Sequence, residues 1–126
     1  MKATYYLDTY AILEYLAGNK SYKRFFQDAG GLATSLLNLI ELYYILLKED
    51  GEATSDRAHL AFSRFQTGIT DEDVKEGMKF RLRLKAQGRS PSYADAIGYQ
   101  VAARIGAKYL TGDEAFRTLP NVEFVK

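Results

Sequence analysis

The amino-acid sequence predicts an α/β fold, in which a short, mainly parallel central sheet is flanked by helices. Short runs of β-forming residues alternate with longer stretches of helical periodicity, and glycines end several of these segments. The stretches between predicted strands are long enough for right-handed crossovers, which join parallel strands. With 126 residues, 47% of them hydrophobic, the chain is expected to form a single domain over residues 1–126.

Four short strands are predicted from runs of β-branched, aromatic or aliphatic residues. The first run, ATYYL, ends directly before Asp8, and the third, AKYLT, ends two residues before Asp113. In chain order, the predicted strands span residues 3–7, 32–34, 107–111 and 122–125.

Six helices are predicted from apolar residues at helical spacing and from residues that start or stop a helix. Asp8 and Ser35 suit the N-cap, and Pro91 suits the first helical position. An acidic run at residues 71–73 suits a first turn, because carboxylates are favourable at the positive end of the helix dipole. In chain order, the first helix follows Asp8, the second carries Tyr22 and Phe25, and the third runs from Ser35 to about Lys48. The fourth helix carries Ala58 and Phe62, the fifth begins at Asp71, and the sixth begins at Ser90-Pro91.

The composition excludes several kinds of site. The chain has no cysteine, hence no disulfide framework and no cysteine-based zinc site, and the single His59 cannot build a zinc site alone. Asp8 precedes any long apolar region, and the longest apolar run, residues 39–47, contains Glu41. We therefore expect neither a signal peptide nor a membrane span, and the absence of cysteine fits a cytoplasmic protein.

Glu41 is the residue that is hardest to explain structurally. It lies in the predicted helix SLLNLIELYYILL, where Asn38 is the only other strongly polar side chain and, three positions away, shares its face. The rest of this helix is apolar nearly all round, which predicts burial. A buried carboxylate requires a cation or a proton, whereas a solvent-facing Glu41 or one paired with a lysine would need neither.

Three aspartates join Glu41 as candidates. Ligands of parallel sheets bind at the carboxyl ends of the strands, where Asp8 and Asp113 are expected, and Asp95 falls early in the sixth helix. Each aspartate also has a structural alternative: Asp8 and Asp113 as caps or turn residues, and Asp95 as a residue that favours a helix N-terminus.

Together, four carboxylates in one pocket would repel one another unless a cation neutralised them. Oxygen ligands without histidine or cysteine select a hard cation, Mg²⁺ or Mn²⁺, which polarises a phosphoryl oxygen and acidifies a bound water. The predicted chemistry is phosphodiester hydrolysis. No cysteine nucleophile, Walker A motif or GxGxxG motif supports another scheme, and Tyr10 stands where many phosphotransferases carry a second aspartate.

A basic stretch is the other candidate feature. The net charge is only +1, which gives a weak global attraction for nucleic acid, but residues 77–94 contain no acidic residue. The stretch is either a solvated helix face or a local phosphate-binding strip. Its basic residues are Lys79 and the four candidate RNA contacts Arg81, Arg83, Lys85 and Arg89.

The sequence resembles PIN-domain proteins over essentially its whole length, and in size and layout the VapC-type toxin ribonucleases of prokaryotic toxin–antitoxin pairs. The matching segments are YYLDTYAILEYL with Asp8, SLLNLIELYYIL with Glu41, and SPSYADAIGYQVAARIGAKYLTGD with Asp95 and Asp113. The third segment is the most specific: an aspartate in a helix of small residues, a glycine stop, a strand, and then Thr-x-Asp.

The resemblance implies a three-layer-like PIN fold and roles for individual residues. Asp8, Glu41, Asp95 and Asp113 match the family's catalytic and metal-binding positions, with Asp8 and Asp95 as direct ligands and the other two acting directly or through waters. By the same resemblance, Thr9, Asn38 and Thr111 would support the carboxylates. It further implies Mg²⁺- or Mn²⁺-dependent cleavage of single-stranded RNA, a homodimer and an inhibitory antitoxin partner.

Some alternatives remain open at this point. Relatives often carry another acidic residue shortly after the position of Asp113, where this chain has Phe116 and Arg117, so the site holds either one ion or two. The protein could instead be an RNA-binding or scaffold module of the same fold with little or no catalysis. A Mg²⁺-dependent phosphatase acting on small substrates is a third interpretation.

Overall fold

A computed structural model describes residues 2–126, and its centre is a four-stranded, fully parallel sheet. The strands are β1 (Thr4–Leu7), β2 (Gly31–Ala33), β3 (Lys108–Thr111) and β4 (Val122–Phe124), in the spatial order β2-β1-β3-β4. The helices of the described chain are α1 (Thr9–Leu16), α2 (Lys20–Asp28), α3 (Leu36–Asp50), α4 (Glu52–Ser63), α5 (Asp71–Ala86) and α6 (Tyr93–Ile105), with a 3₁₀ turn at Glu114–Phe116. The predicted α/β fold with a mainly parallel sheet is confirmed.

The two central strands divide the core between the two faces of the sheet. Neighbouring side chains of a strand point to opposite faces, so Tyr6 and Leu7 of β1 enter different clusters. Leu7 and Leu110 pack with side chains of α1, α2, α3 and α4. Tyr6 and Tyr109 pack on the other face with side chains of α6 and with Phe80 of α5. This division produces three layers, with helices on both faces of the sheet.

Local chemistry explains why most helices begin where the sequence predicts. The Asp8 side chain caps α1 by accepting a hydrogen bond from the Ala11 backbone N–H at 2.7 Å. Helix α5 begins with a capping box, in which Thr70 and Asp73 each accept from the other's backbone N–H. No helix within residues 2–126 combines the length and the apolar character that crossing a membrane requires.

Two local predictions are wrong, and a third is right in position but not in its hydrogen bond. Helix α6 begins at Tyr93 and not at Pro91, because Ser92 is the N-cap and accepts from the Asp95 backbone N–H at 3.0 Å. Ser35 occupies the N-cap of α3 without a capping hydrogen bond, since its hydroxyl binds the Tyr6 hydroxyl at 2.9 Å. Helix α3 is also not buried all round, because one of its apolar faces is exposed at Leu36, Ile40, Tyr44 and Leu47.

Candidate active site

The four predicted acidic residues line one pocket at the carboxyl end of the sheet. Asp8 directly follows β1 and Asp113 follows β3, while α3 and α6 supply Glu41 and Asp95. The pocket has a volume of roughly 440 Å³, which is within the range of small-molecule sites. Strands β1 and β3 are adjacent and parallel, and this pairing brings together residues more than a hundred positions apart.

Asp8 is the most buried of the four, with 1% of its surface exposed. Its Oδ1 accepts from the Ala11 backbone N–H, and its Oδ2 accepts from the Thr111 hydroxyl at 2.5 Å. Burial raises the pKa of Asp8 well above its ordinary value, and the negative charge of Asp95 raises it further, against the lowering effect of the two hydrogen bonds. The protein therefore holds this carboxylate in place at an electrostatic cost.

Asp95 has a similarly unfavourable environment for a negative charge. Desolvation is the largest cause and the charge of Glu41 the second, and together they raise the pKa of Asp95 to about 7, although the contact with Ser92 opposes the shift. The Asn38 amide lies 3.5 Å from Asp95 Oδ1, at the limit of hydrogen-bond distance. A cation in the pocket would relieve the repulsion that raises both aspartate pKa values.

Glu41 and Asp113 have distinct local partners. The Thr9 hydroxyl donates to Glu41 Oε1 at 2.8 Å, and this bond connects the Glu41 carboxylate to the N-terminus of α1. Asp113 Oδ1 accepts from the Ala115 backbone N–H at 3.0 Å and so caps the 3₁₀ turn, as its structural alternative predicts. Asp113 nevertheless lines the pocket, so its capping role and its place in the pocket coexist.

The three predicted supporting residues lie between the carboxylates. Thr111 contacts Asp8, Thr9 contacts Glu41, and Asn38 Nδ2 lies 3.2 Å from Thr9 Oγ1. Tyr6, which the sequence did not suggest, extends this network below the pocket. Its buried hydroxyl hydrogen-bonds both Ser35 Oγ and Asn38 Oδ1, the latter at 2.5 Å, and this contact orients the amide.

The chemical type of the candidate ligands suits a hard divalent cation. The candidate ligands are all carboxylate oxygens, which Mg²⁺ and Mn²⁺ prefer. Burial first, and neighbouring carboxylates second, raise the pKa values of Asp8 and Asp95. Within residues 2–126, no three acidic, histidine or cysteine side chains are already grouped closely enough to share one ion. A cation held here would therefore have one or two direct carboxylate ligands and complete its shell with waters.

The four candidate RNA contacts lie outside the described lining of the pocket. Arg81 Nε donates to the Pro91 carbonyl at 2.8 Å, and Arg89 donates to the carbonyls of Ala115 and Arg117. Both guanidinium groups therefore connect elements of the fold. Arg83 and Lys85 are exposed on α5, as a solvated face or a phosphate-binding strip would be, and their role in RNA binding stays a prediction.

The pocket contains residues that the sequence analysis missed. Ser92 could have been found, because Ser-x-x-Asp before an apolar run is a helix-start pattern. Lys126 carries no comparable signal. It lines the pocket because β4 pairs with β3, and its Nζ donates to the Gly112 carbonyl at 3.2 Å, 3.8 Å from Glu114 Oε1.

Comparison with known proteins gives one family and a set of similar folds. The family model of the PIN domain matches residues 5–122. No curated protein matches the chain. Similar solved structures include a toxin–antitoxin complex from Klebsiella pneumoniae, at 20% identity with 94% of each chain covered and a TM-score of 0.75.

Two further solved structures have the same fold. VapBC2 from Rickettsia felis, bound to a DNA fragment from its promoter, is 19% identical, with 97% of each chain covered and a TM-score of 0.74. VapC20 from Mycobacterium tuberculosis, a toxin that cleaves the sarcin-ricin loop, is 20% identical over 82% of this chain and 85% of that one, with a TM-score of 0.64.

Proposed function

The chain belongs to the PIN-domain family, and from that premise we propose that it is a Mg²⁺- or Mn²⁺-dependent endoribonuclease that cleaves single-stranded RNA. The observation that carries the proposal is the pocket lined by Asp8, Glu41, Asp95 and Asp113, in which the pKa values of two aspartates are raised by burial and by neighbouring carboxylates. Such a pocket is unfavourable without a counter-charge.

Asp8 and Asp95 would hold the cation directly, with Glu41 and Asp113 acting directly or through waters. When bound, a divalent cation neutralises the carboxylates, polarises a phosphoryl oxygen and makes a nearby water more acidic. Because the pKa of Asp95 is about 7, cation binding competes with a proton at this side chain near neutral pH.

The protein's own groups orient these ligands. The Ala11 N–H and the Thr111 hydroxyl fix both oxygens of Asp8, while Thr9 orients Glu41. Lys126 is the only basic residue in the described lining of the pocket. Its ammonium group contacts the Gly112 carbonyl and Glu114 and places one positive charge where a phosphate of the RNA backbone would lie.

The test is cleavage of a labelled single-stranded RNA in the presence of Mg²⁺ or Mn²⁺, and its loss in the variant Asp95→Asn. We expect a rate decrease of about 100-fold or more, since metal-dependent charge stabilisation contributes several kcal/mol. Asp50→Asn, at the exposed end of α3, is the matched control and should cleave at the wild-type rate. Circular dichroism must show that both variants are folded. Wild-type cleavage by Asp95→Asn would refute the mechanism.

A scaffold or RNA-binding module is the alternative function, and one observation favours it. No three candidate ligands within residues 2–126 are pre-grouped around a common point. Calorimetric titration with Mn²⁺ separates the two proposals, because a non-catalytic module would give no binding heat that depends on Asp8 and Asp95. Turnover of a generic phosphomonoester without cleavage of RNA would instead indicate a phosphatase.

We further propose that the protein is the toxin of a toxin–antitoxin pair, acting in the cytoplasm and forming a homodimer. Solved structures of its fold include toxin–antitoxin complexes, which supports an antitoxin partner. The exposed apolar side chains of α3 and Leu60 of α4 offer surface for protein contacts. Light scattering of the purified chain measures its oligomeric state, and co-expression with the product of the adjacent reading frame tests for an inhibitor.

A further inference from the structure

Tyr93 is a large, exposed aromatic side chain one residue along the chain from the acidic pocket and outside its described lining. It is the first residue of α6, directly after Ser92, which lines the pocket, and it is 64% exposed. The guanidinium carbon of Arg81 lies 4.6 Å from the centre of its ring, and Arg81 is itself held by its hydrogen bond to the Pro91 carbonyl. The tyrosine therefore has one cation-covered face, while most of its surface is open to solvent.

RNA needs binding energy from outside the pocket. The pocket carries carboxylates that repel a polyanion, and the whole chain has a net charge of only +1. General electrostatic attraction is therefore small. Proteins that bind single strands commonly add stacking of unpaired bases on aromatic side chains, with arginine contributing a cation–π contact.

We propose that Tyr93 is a stacking platform for an unpaired base of single-stranded RNA, with Arg81 fixing its ring and placing a positive charge near the strand. This inference rests on the proposed function, because it concerns how the proposed nuclease binds its single-stranded RNA. A stacking platform binds bases that are free of a duplex and tolerates different sequences, since every base has a π-face.

Position, and not exposure alone, distinguishes Tyr93. Tyr44 is also 64% exposed and also contacts a cation, with Lys48 Nζ 5.7 Å from its ring centre. Tyr44 lies on the apolar face of α3 with Leu36, Ile40 and Leu47, in a groove separate from the acidic pocket. It is thus a matched control: the same residue type, the same exposure and a similar cation contact at a different place.

The experiment measures fluorescence anisotropy of a labelled, mixed-sequence single-stranded RNA titrated with full-length protein. The Asp95→Asn background keeps the RNA intact, because this variant is expected not to cleave it. We expect Tyr93→Ala to weaken binding about 10- to 100-fold and Tyr93→Trp to retain it. Tyr44→Ala, once light scattering shows that it keeps the oligomeric state of the wild type, should leave binding unchanged. In the cleaving protein, Tyr93→Ala should raise KM by a similar factor with little change in kcat. Binding of a blunt duplex RNA should not depend on Tyr93.

The outcomes separate this inference from the nuclease proposal. If RNA is cleaved but Tyr93→Ala binds as tightly as Tyr44→Ala, the platform is refuted while the nuclease stands. If no metal supports cleavage but binding of the single strand still depends on Tyr93, the platform stands and the nuclease fails. Equal weakening of single-strand and duplex binding by Tyr93→Ala would also overturn the inference, because it would indicate a role in the fold or in backbone contact.

Discussion

Replacing Tyr6 by phenylalanine removes one hydroxyl from the buried layer beneath the acidic pocket. That hydroxyl joins β1 to α3 through Ser35 Oγ at 2.9 Å and Asn38 Oδ1 at 2.5 Å, and all three side chains are fully buried. The substitution leaves two buried polar groups short of a partner. A buried group left unsatisfied in this way costs about 1–3 kcal/mol.

Tyr109 provides the control for this substitution. Its ring stacks on that of Tyr6, with centres 5.5 Å apart and planes 14° from parallel, and it is equally buried. Its hydroxyl, however, has no partner within hydrogen-bond distance among the described residues, although it lies close enough to Asp95 to lower the pKa of that carboxyl. Tyr109→Phe removes a polar group that is already unsatisfied, so the free energy of unfolding should stay the same or rise.

The assay is urea unfolding followed by circular dichroism in EDTA, supported by thermal melts. Tyr6→Phe should lower the free energy of unfolding by about 2–6 kcal/mol, at about 1–3 kcal/mol for each of the two groups, and Tyr109→Phe should not lower it. For a chain of this size, each kcal/mol shifts Tm by roughly 3–5 °C. Equal destabilisation by the two substitutions would refute the reasoning, because it would mean that the Tyr109 hydroxyl has a partner of similar value, such as the nearby Asp95.

The remaining predictions concern the charges of the pocket and the glycine that packs over Tyr6. Because the pKa values of Asp8 and Asp95 are raised in the folded state, the metal-free fold keeps protons that unfolded carboxyls have released. Tm in EDTA should therefore fall as pH rises from about 4 to 7, less steeply in Asp95→Asn, and an unchanged slope would contradict the assignment. Mn²⁺ at pH 7.5 should raise Tm of the wild type but not of Asp95→Asn. Gly98→Ala would place a Cβ 2.7 Å from the Tyr6 hydroxyl and should cost about 1–3 kcal/mol, whereas Gly68→Ala, with open space around it, should be neutral.

Local signals in the sequence were sufficient for most of the fold. Alternating runs of β-forming and helix-forming residues predicted every strand to within two residues, and the acidic N-terminus of α5 marked its start. One error occurred where two local signals competed. At the start of α6, Pro91 and Ser92 both suit a helix start, and the serine hydroxyl decided it by accepting from the Asp95 N–H.

Ser35 and α3 show a different kind of error. Ser35 is a residue type that commonly caps helices, but its side chain hydrogen-bonds the buried hydroxyl of Tyr6 in β1 instead of the helix backbone. The apolar residues of α3 predict burial, but their spacing shows only which faces of the helix are apolar. Which of those faces is covered depends on how α4 packs against it, and the face of Ile40 and Tyr44 stays open.

The sequence by itself determined the order of the elements and their parallel arrangement, because these follow from local propensity and from the lengths of the connections. It also indicated four candidate acidic positions: Asp8 and Asp113 at the carboxyl ends of parallel strands, and Glu41 and Asp95 in two helices. Tertiary structure alone decided that β1 lies beside β3, which joins Asp8 to Thr111 across 103 positions. It also decided that Lys126 enters the pocket and that Tyr6 orients Asn38. Contacts at such separations depend on the spatial order of the strands and on packing between layers, and neither leaves a periodic pattern in the chain.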